Sequence, residues 1–217
     1  MMDVEQARFN MVEQQIRPCD VSEKSVLDAL LSIKREMFVL PQYKNVAFSD
    51  LEIPLPNGLK MLCPIVDAML VQALKLNKND RVLEIGTGSG YVTALLAKLS
   101  EFVYSIEIDE QNKQFATRNL TYAGINNVSV VSGNGKVGLV NNAPFNKIFV
   151  GGALQQISME LKQQMAIGGV LVGIVGDESV MHAVRVERVG DNEYLETKLF
   201  ETVADYLISE NIHKFNF

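Results

Sequence analysis

Apolar residues follow two different rhythms on either side of residue 80. Upstream they recur at helical spacing. Phe9, Val12 and Ile16 form one stripe, and Val26, Leu27, Leu30 and Leu31 form a second after Ser22, the three-to-four spacing that lays one apolar face along an α-helix. Asp20 or Ser22 is predicted to cap the second helix through its side-chain oxygen, although Ser25, three residues after Ser22, leaves a capping box incomplete. Two prolines and a glycine between Pro54 and Gly58 predict an irregular loop. Pro64 then opens a predicted helix through Leu74, since proline is well tolerated in a first helical turn.

Downstream, short apolar runs alternate with helical stretches. Strand Arg81–Ile85 precedes helix Gly90–Leu99, and strand Phe102–Ile108 precedes helix Asp109–Ala123 with Asp109 as its cap. Val128–Val131, Lys147–Val150 and Gly169–Val175 are three more β-rich runs, with a helix predicted over Ser158–Met165. Such alternation predicts a parallel sheet covered on both faces. Ala183–Val189 and Tyr194–Phe200, joined through Gly190-Asp191-Asn192, predict an antiparallel hairpin. The expected fold is therefore α/β: a Rossmann-like, doubly wound, mostly parallel sheet ending in an antiparallel hairpin, with a helical N-terminal cap. No repeat of 20–50 residues recurs to suggest a solenoid or propeller.

Composition narrows the chemistry. The 217 residues are 47% hydrophobic and 21% charged, enough to bury one core without staples, and the length suits a single domain over 1–217. A net charge of −6 gives no general attraction to nucleic acid or anionic membranes. No apolar run reaches the ~20 residues of a bilayer span, and Met1-Met2-Asp3-Val4-Glu5 lacks the basic and apolar regions of a signal peptide. Two cysteines, Cys19 and Cys63, fit a reducing cytoplasm, and two histidines, His182 and His213, argue against a multi-histidine metal site; no metal is expected. Cys63 reads as a small apolar residue rather than a nucleophile, since no histidine lies near it in sequence. His182 reads as structural or exposed, and His213 falls in a polar tail over residues 209–217.

The sharpest local signal is Val82-Leu83-Glu84-Ile85-Gly86-Thr87-Gly88-Ser89-Gly90-Tyr91. A strand runs into three glycines spaced two apart and then a helix, a turn tight enough to let a ligand touch backbone. The dinucleotide pattern G-x-G-x-x-G fails in both registers, at Tyr91 and at Thr93, and the phosphate loop fails around Gly135-Lys136. An acid at the strand end repels a pyrophosphate and attracts an ammonium, which favours S-adenosylmethionine, cationic at sulfur and at its amino group. Glu107, 23 positions after Glu84 and followed by Ile108, stands where a carboxylate would grip a ribose diol. Ser132-Gly133-Asn134-Gly135 follows the third strand and offers Asn134 to an adenine edge. The expected cofactor contacts are thus Glu84, Gly86, Thr87, Gly88, Ser89, Gly90, Tyr91, Glu107, Ile108, Asn134 and Gly135.

Val82–Leu99 resembles the first motif of class I methyltransferases, and the chain from about Arg17 to Leu207 resembles the protein-L-isoaspartate O-methyltransferases. The resemblance is carried by Lys34–Pro41, Ala47–Asp50, Leu59–Met69, Ser132–Gly135 before Ala143-Pro144-Phe145, Gly168-Gly169, and Glu201–Leu207. It implies a Rossmann-like sheet binding S-adenosylmethionine, a substrate loop within residues 1–79, a core over 80–217, and an isoaspartyl residue in a peptide or protein whose free α-carboxyl is esterified. Asn134 stands where the family has Asp in a Gly-Asp-Gly triplet, and an amide can still accept and donate there. Leu62, two residues before Pro64, stands where the family has a functional serine. The departure keeps open a different acceptor, such as a small-molecule carboxylate, or a non-catalytic module that binds a nucleoside or a partner. Methylating a carboxylate needs no general base, because the nucleophile is already ionised at neutral pH. No catalytic side chain is singled out, and oligomeric state is not legible.

Overall fold

The structure, a computed structural model, describes residues 3–177 and 179–208. Helix α1 (Val4–Asn10), capped by the Asp3 side chain, runs into a wider π-helical stretch over Met11–Ile16. Helix α2 (Lys24–Ser32) follows, then two short strands, β1 (Ile53–Pro54) and β2 (Lys60–Met61), and helix α3 (Pro64–Ala73). Strand β3 (Arg81–Ile85), helix α4 (Tyr91–Leu99), strand β4 (Phe102–Glu107), helix α5 (Glu110–Tyr122) and strand β5 (Val128–Ser132) make two strand–helix–strand units. Strand β6 (Phe145–Leu154), helix α6 (Met159–Gln163) and strand β7 (Met165–Gly176) make a third, and β8 (Met181–Arg188) and β9 (Tyr194–Glu201) close the sheet.

The seven strands lie in the order β5-β4-β3-β6-β7-β8-β9, parallel from β5 to β7 and antiparallel through β8 and β9. The Rossmann-like sheet with its terminal hairpin is as expected. Strand order reverses between β3 and β6, and such a switch point leaves a crevice beyond the carboxyl ends of the strands. The two faces are covered unequally. Helices α2, α3, α4 and α5 touch one another in one layer, and their apolar residues form a large core with Val82, Val103, Phe149 and Val172 of the sheet. The opposite face carries Leu83, Ile85, Ile148 and Leu171, met by Leu161 of the short α6.

Local expectations fail where tertiary contacts decide. Phe9 is exposed, whereas Met11, Val12 and Ile16 are fully buried: i→i+5 bonding widens the turn and moves the buried face. Neither Asp20 nor Ser22 caps α2. Glu23 stands at the cap with no side-chain bond, and Gln72 of α3 accepts from the Ser22 and Glu23 amides at 2.8 and 2.9 Å while donating to the Asp20 carbonyl. The loop expected over Pro54–Gly58 is the tip of a hairpin, with Ile53 opposite Met61 and Pro54 opposite Lys60. Helix α6 stops at Gln163, because Met165 already pairs with Phe145 as the start of β7. His182 is half-buried on β8 with Nε2 3.3 Å from Lys198 Nζ. His213 and the tail from Ser209 lie outside the described residues.

Candidate cofactor and acceptor site

The crevice at the switch point is built on the turn after β3. Gly86, Gly88 and Gly90 have φ of 86°, 56° and 83°, a region that a Cβ disfavours, so all three glycines are required by backbone geometry. Their surroundings differ. Added methyl carbons would lie 3.1 Å from Leu207 at Gly86 and 3.4 Å from Leu55 at Gly88, facing the crevice, whereas at Gly90 one would meet Leu120 and Ala116 of α5. Gly90 therefore seats the helix start against its neighbour, and Gly86 and Gly88 keep the loop bare.

Two cavities flank this loop. The larger, about 590 Å³, lies between Gly86, Gly88, Glu107, Ile108, Gly133 and Gly135, with Asp205 and Leu207 closing it. The smaller, about 380 Å³, is walled by Thr87, Ser89, Tyr91, Leu62, Asp67 and Phe149. Leu55, Lys60, Gly86, Gly88 and Gly151 belong to both, so the cavities meet over the glycines and beneath the β1–β2 hairpin.

Of the residues singled out from sequence, Gly86, Gly88, Glu107, Ile108 and Gly135 gather in the larger cavity, and Gly86, Thr87, Gly88, Ser89 and Tyr91 in the smaller. Glu84, Gly90 and Asn134 line neither. Side chains alternate along β3, and Val82 and Glu84 turn toward the helical layer. Glu84 is wholly buried, its Oε2 accepting from the Thr93 hydroxyl at 2.6 Å and from Ser105, while Oε1 has no partner. The expectation of a carboxylate among backbone donors is thus corrected: Glu84 sits among hydroxyls under the loop, and burial pushes its pKa up to about 8. The Asn134 side-chain Oδ1 accepts from the Lys136 amide at 3.1 Å and caps a short 3-10 turn, leaving Gly133 and Gly135 to face the cavity.

Glu107 clamps the site. Oε2 accepts from the Gly88 amide at 2.8 Å and Oε1 from the Asp109 amide at 3.0 Å, tying the glycine loop to the start of α5. Burial raises its pKa, and the two amide donors oppose the rise. Each carboxylate oxygen accepts more than one hydrogen bond, so capacity toward the cavity remains. Asn112, also on the larger cavity, has a buried Oδ1 without a partner. These acceptors, with a floor that tolerates no Cβ, fit a nucleoside rich in hydroxyl donors. At Gly135 an added methyl would lie 2.3 Å from Ile85 Cγ2, and at Gly151 2.8 Å from the Gly86 carbonyl oxygen.

The second wall is held from the N-terminal layer. The Arg35 guanidinium, fully buried, donates to Asp67 Oδ2 and to the Leu62 carbonyl, each at 2.9 Å, and lies 4.6 Å from the Tyr91 ring centroid. Asp67 is pushed up to about 7 by burial, with Arg35 opposing. Tyr91 packs edge-on against Phe38 with its hydroxyl buried and unpartnered. Leu62 is buried and presents an alkyl side chain to the smaller cavity. Burial pushes the neighbouring Cys63 thiol up to about 11, which agrees with an unreactive residue.

Several wall residues escaped the sequence reading. Gly151-Gly152 carried a usable signal, two glycines directly after the apolar run of β6. Asp67, a lone acid within the apolar Pro64–Ala73 helix, carried another. Lys60 and Leu55 carried none, since nothing local announces a hairpin folded over a loop 30 residues away.

The Protein-L-isoaspartate(D-aspartate) O-methyltransferase (PCMT) family model matches residues 6–207. The chain belongs to this family. Relatives named protein-L-isoaspartate O-methyltransferase include one from Dictyoglomus thermophilum, 36% identical over 176 residues, covering 81% of this chain and 80% of the relative. One from Methanoculleus marisnigri is 38% identical over 184 residues, 84% of each chain. Among solved structures, a protein-L-isoaspartate O-methyltransferase superposes with a TM-score of 0.82 at 23% identity over 93% of this chain and 66% of that one, just under two thirds of its length. A Plasmodium falciparum structure described as a putative member in complex with S-adenosyl-L-homocysteine gives 0.80 at 18% identity, over 93% of this chain and 98% of that one. Both superpositions establish the Rossmann-like fold. Among the described residues no helix is long and apolar enough to cross a membrane.

Proposed function

We propose that the protein is an S-adenosylmethionine-dependent O-methyltransferase that esterifies the free α-carboxyl of isoaspartyl residues in peptides or proteins. The observation that carries this reading is the junction of two cavities over a bare glycine loop, walled by acids. S-adenosylmethionine, when bound, supplies an electrophilic methyl group on a positively charged sulfur. Glu107 and Asn112 would hold the ribose hydroxyls, Ile108, Gly133 and Gly135 the base, and Gly86 to Ser89 the amino-acid end. Glu107 and Asp205, on the wall of the larger cavity, add negative potential that favours a cation, whereas Glu84 is sealed beneath the loop and Asp67 is paired with Arg35. The acceptor carboxylate is ionised at neutral pH, so no general base is needed, and among the described residues no histidine stands on either cavity wall. Orientation inside a water-poor cleft then supplies the rate, an effect worth about 7–11 kcal/mol in well-aligned systems.

Named relatives over four fifths of the chain support the acceptor assignment. The N-terminal 79 residues and the sheet act as one domain in this reading, because residues of both share one apolar core. Two free cysteines suit a reducing, cytoplasmic setting. The test is methyl transfer from S-adenosylmethionine to an isoaspartyl peptide, with its ordinary aspartyl twin as control. Ester is expected on the first alone, and Glu107→Gln is expected to weaken S-adenosylhomocysteine binding by about 1.5–3 kcal/mol in calorimetry. Binding without ester would overturn the acceptor, and no binding by the wild-type protein would overturn the donor as well.

A further inference from the structure

Among the described residues, Lys60 is the one cation on the walls of both cavities. Of the five residues on both walls, the other four carry no charge. Apart from Lys136, the remaining charges facing this space are negative, Glu107 and Asp205 on the larger side, while Asp67 on the smaller is paired with the buried Arg35. An acid-walled crevice attracts a cationic donor and repels a carboxylate acceptor, so an acceptor arriving at the junction needs a counter-charge there. Lys136 reaches only the larger cavity, and Leu62 offers no hydrogen-bond donor from its side chain. Lys60 is held in place from two sides: its amide donates to Asp205 Oδ2 at 3.2 Å, and its ammonium donates to Glu52 Oε2 at 2.8 Å. An ammonium has three donors, and this side chain remains 45% exposed, so it can meet a second anion without leaving Glu52.

We propose that Lys60 is the specificity-determining residue that receives the acceptor's carboxylate, a proposal that rests on the carboxylate-methylating reading above. In that reaction a carboxylate oxygen gives an electron pair to the methyl carbon as the carbon–sulfur bond breaks, and that bond's pair leaves on sulfur. Negative charge on the acceptor and positive charge on the sulfur vanish together, and no proton moves. An ion pair with Lys60 is therefore strongest before the reaction and weaker at the transition state, so it serves acceptor binding more than the chemical step.

Steady-state kinetics on an isoaspartyl peptide, beside calorimetry with S-adenosylhomocysteine, test this. Lys60→Met is expected to raise the peptide KM about five- to tenfold, with kcat within about twofold and S-adenosylhomocysteine affinity unchanged. Lys60→Arg keeps the charge and is expected to restore most of the KM. Added salt should raise the wild-type KM and leave that of Lys60→Met nearly flat, since only the former loses an ion pair to screening. Wild-type turnover with an unchanged KM in Lys60→Met would overturn the role of Lys60 alone. A parallel loss of S-adenosylhomocysteine affinity would make Lys60 a structural part of the donor site and also overturn it. No ester from the wild-type protein would remove the acceptor reading and this assignment together.

Discussion

Beneath the glycine loop, Glu84 is a carboxyl group shut away from water, with two hydroxyl donors on one oxygen and nothing on the other. Burial holds its pKa near 8 in the folded protein, against an ordinary value of 4.5, and Asp67 stands near 7 against 3.8. Between each pair of values the folded protein keeps a proton that the unfolded chain releases, so folding is favoured at the acid end and stability falls as pH rises. The urea midpoint of the cofactor-free protein is expected to drop from pH 5 to pH 8. Glu84→Gln is expected to flatten part of that slope, since an amide oxygen still accepts from Thr93 and Ser105 and cannot ionise. An unchanged slope in the variant would assign the pH dependence to other groups. The acid and the three glycines were legible because strand, acid and glycines are contiguous. Where Glu84 points was not, because Thr93 and Ser105 come from α4 and β4 and only the folded sheet brings them to it.

At the scale of elements, the start of α2 is completed by a side chain from α3. Gln72 accepts from two successive amides and donates to a carbonyl. Gln72→Ala leaves those three backbone groups to water or to nothing. It is expected to cost about 1–3 kcal/mol in urea denaturation, with S-adenosylhomocysteine affinity unaltered because α2 touches neither cavity. Sequence pattern found both helices, since an apolar stripe is a local property. It misplaced the cap, since Asp20 and Ser22 are good capping residues by propensity and the tertiary partner outcompetes them. The β1–β2 hairpin shows the same limit more strongly. Two-residue strands, one of them holding a proline, have no readable period, and the hairpin is tied down by the bond from the Lys60 amide to Asp205, 145 residues away.

Across the whole molecule, Arg35 and Asp67 fasten the N-terminal layer to the wall of the site. Removing Arg35 leaves the buried Asp67 carboxyl either charged without a partner or forced to take up a proton, so Arg35→Met is expected to destabilise the fold by about 3–5 kcal/mol, read by urea denaturation. Adding Asp67→Leu to that variant should recover part of the loss, because the stranded carboxyl is then gone; a loss equal to the sum of the single variants would show that the pair is not coupled. The alternation of strands and helices from β3 onward, the bare loop and the second acid were determined by the sequence alone, because alternation, glycine spacing and strand ends are short-range features of the chain. The tertiary structure decided which acids face the ligand space and which are sealed beneath it, where Lys60 stands, and how Arg35 reaches the Leu62 carbonyl. Each of those depends on side-chain direction and on contacts between residues far apart in the chain, and local pattern carries no information about either.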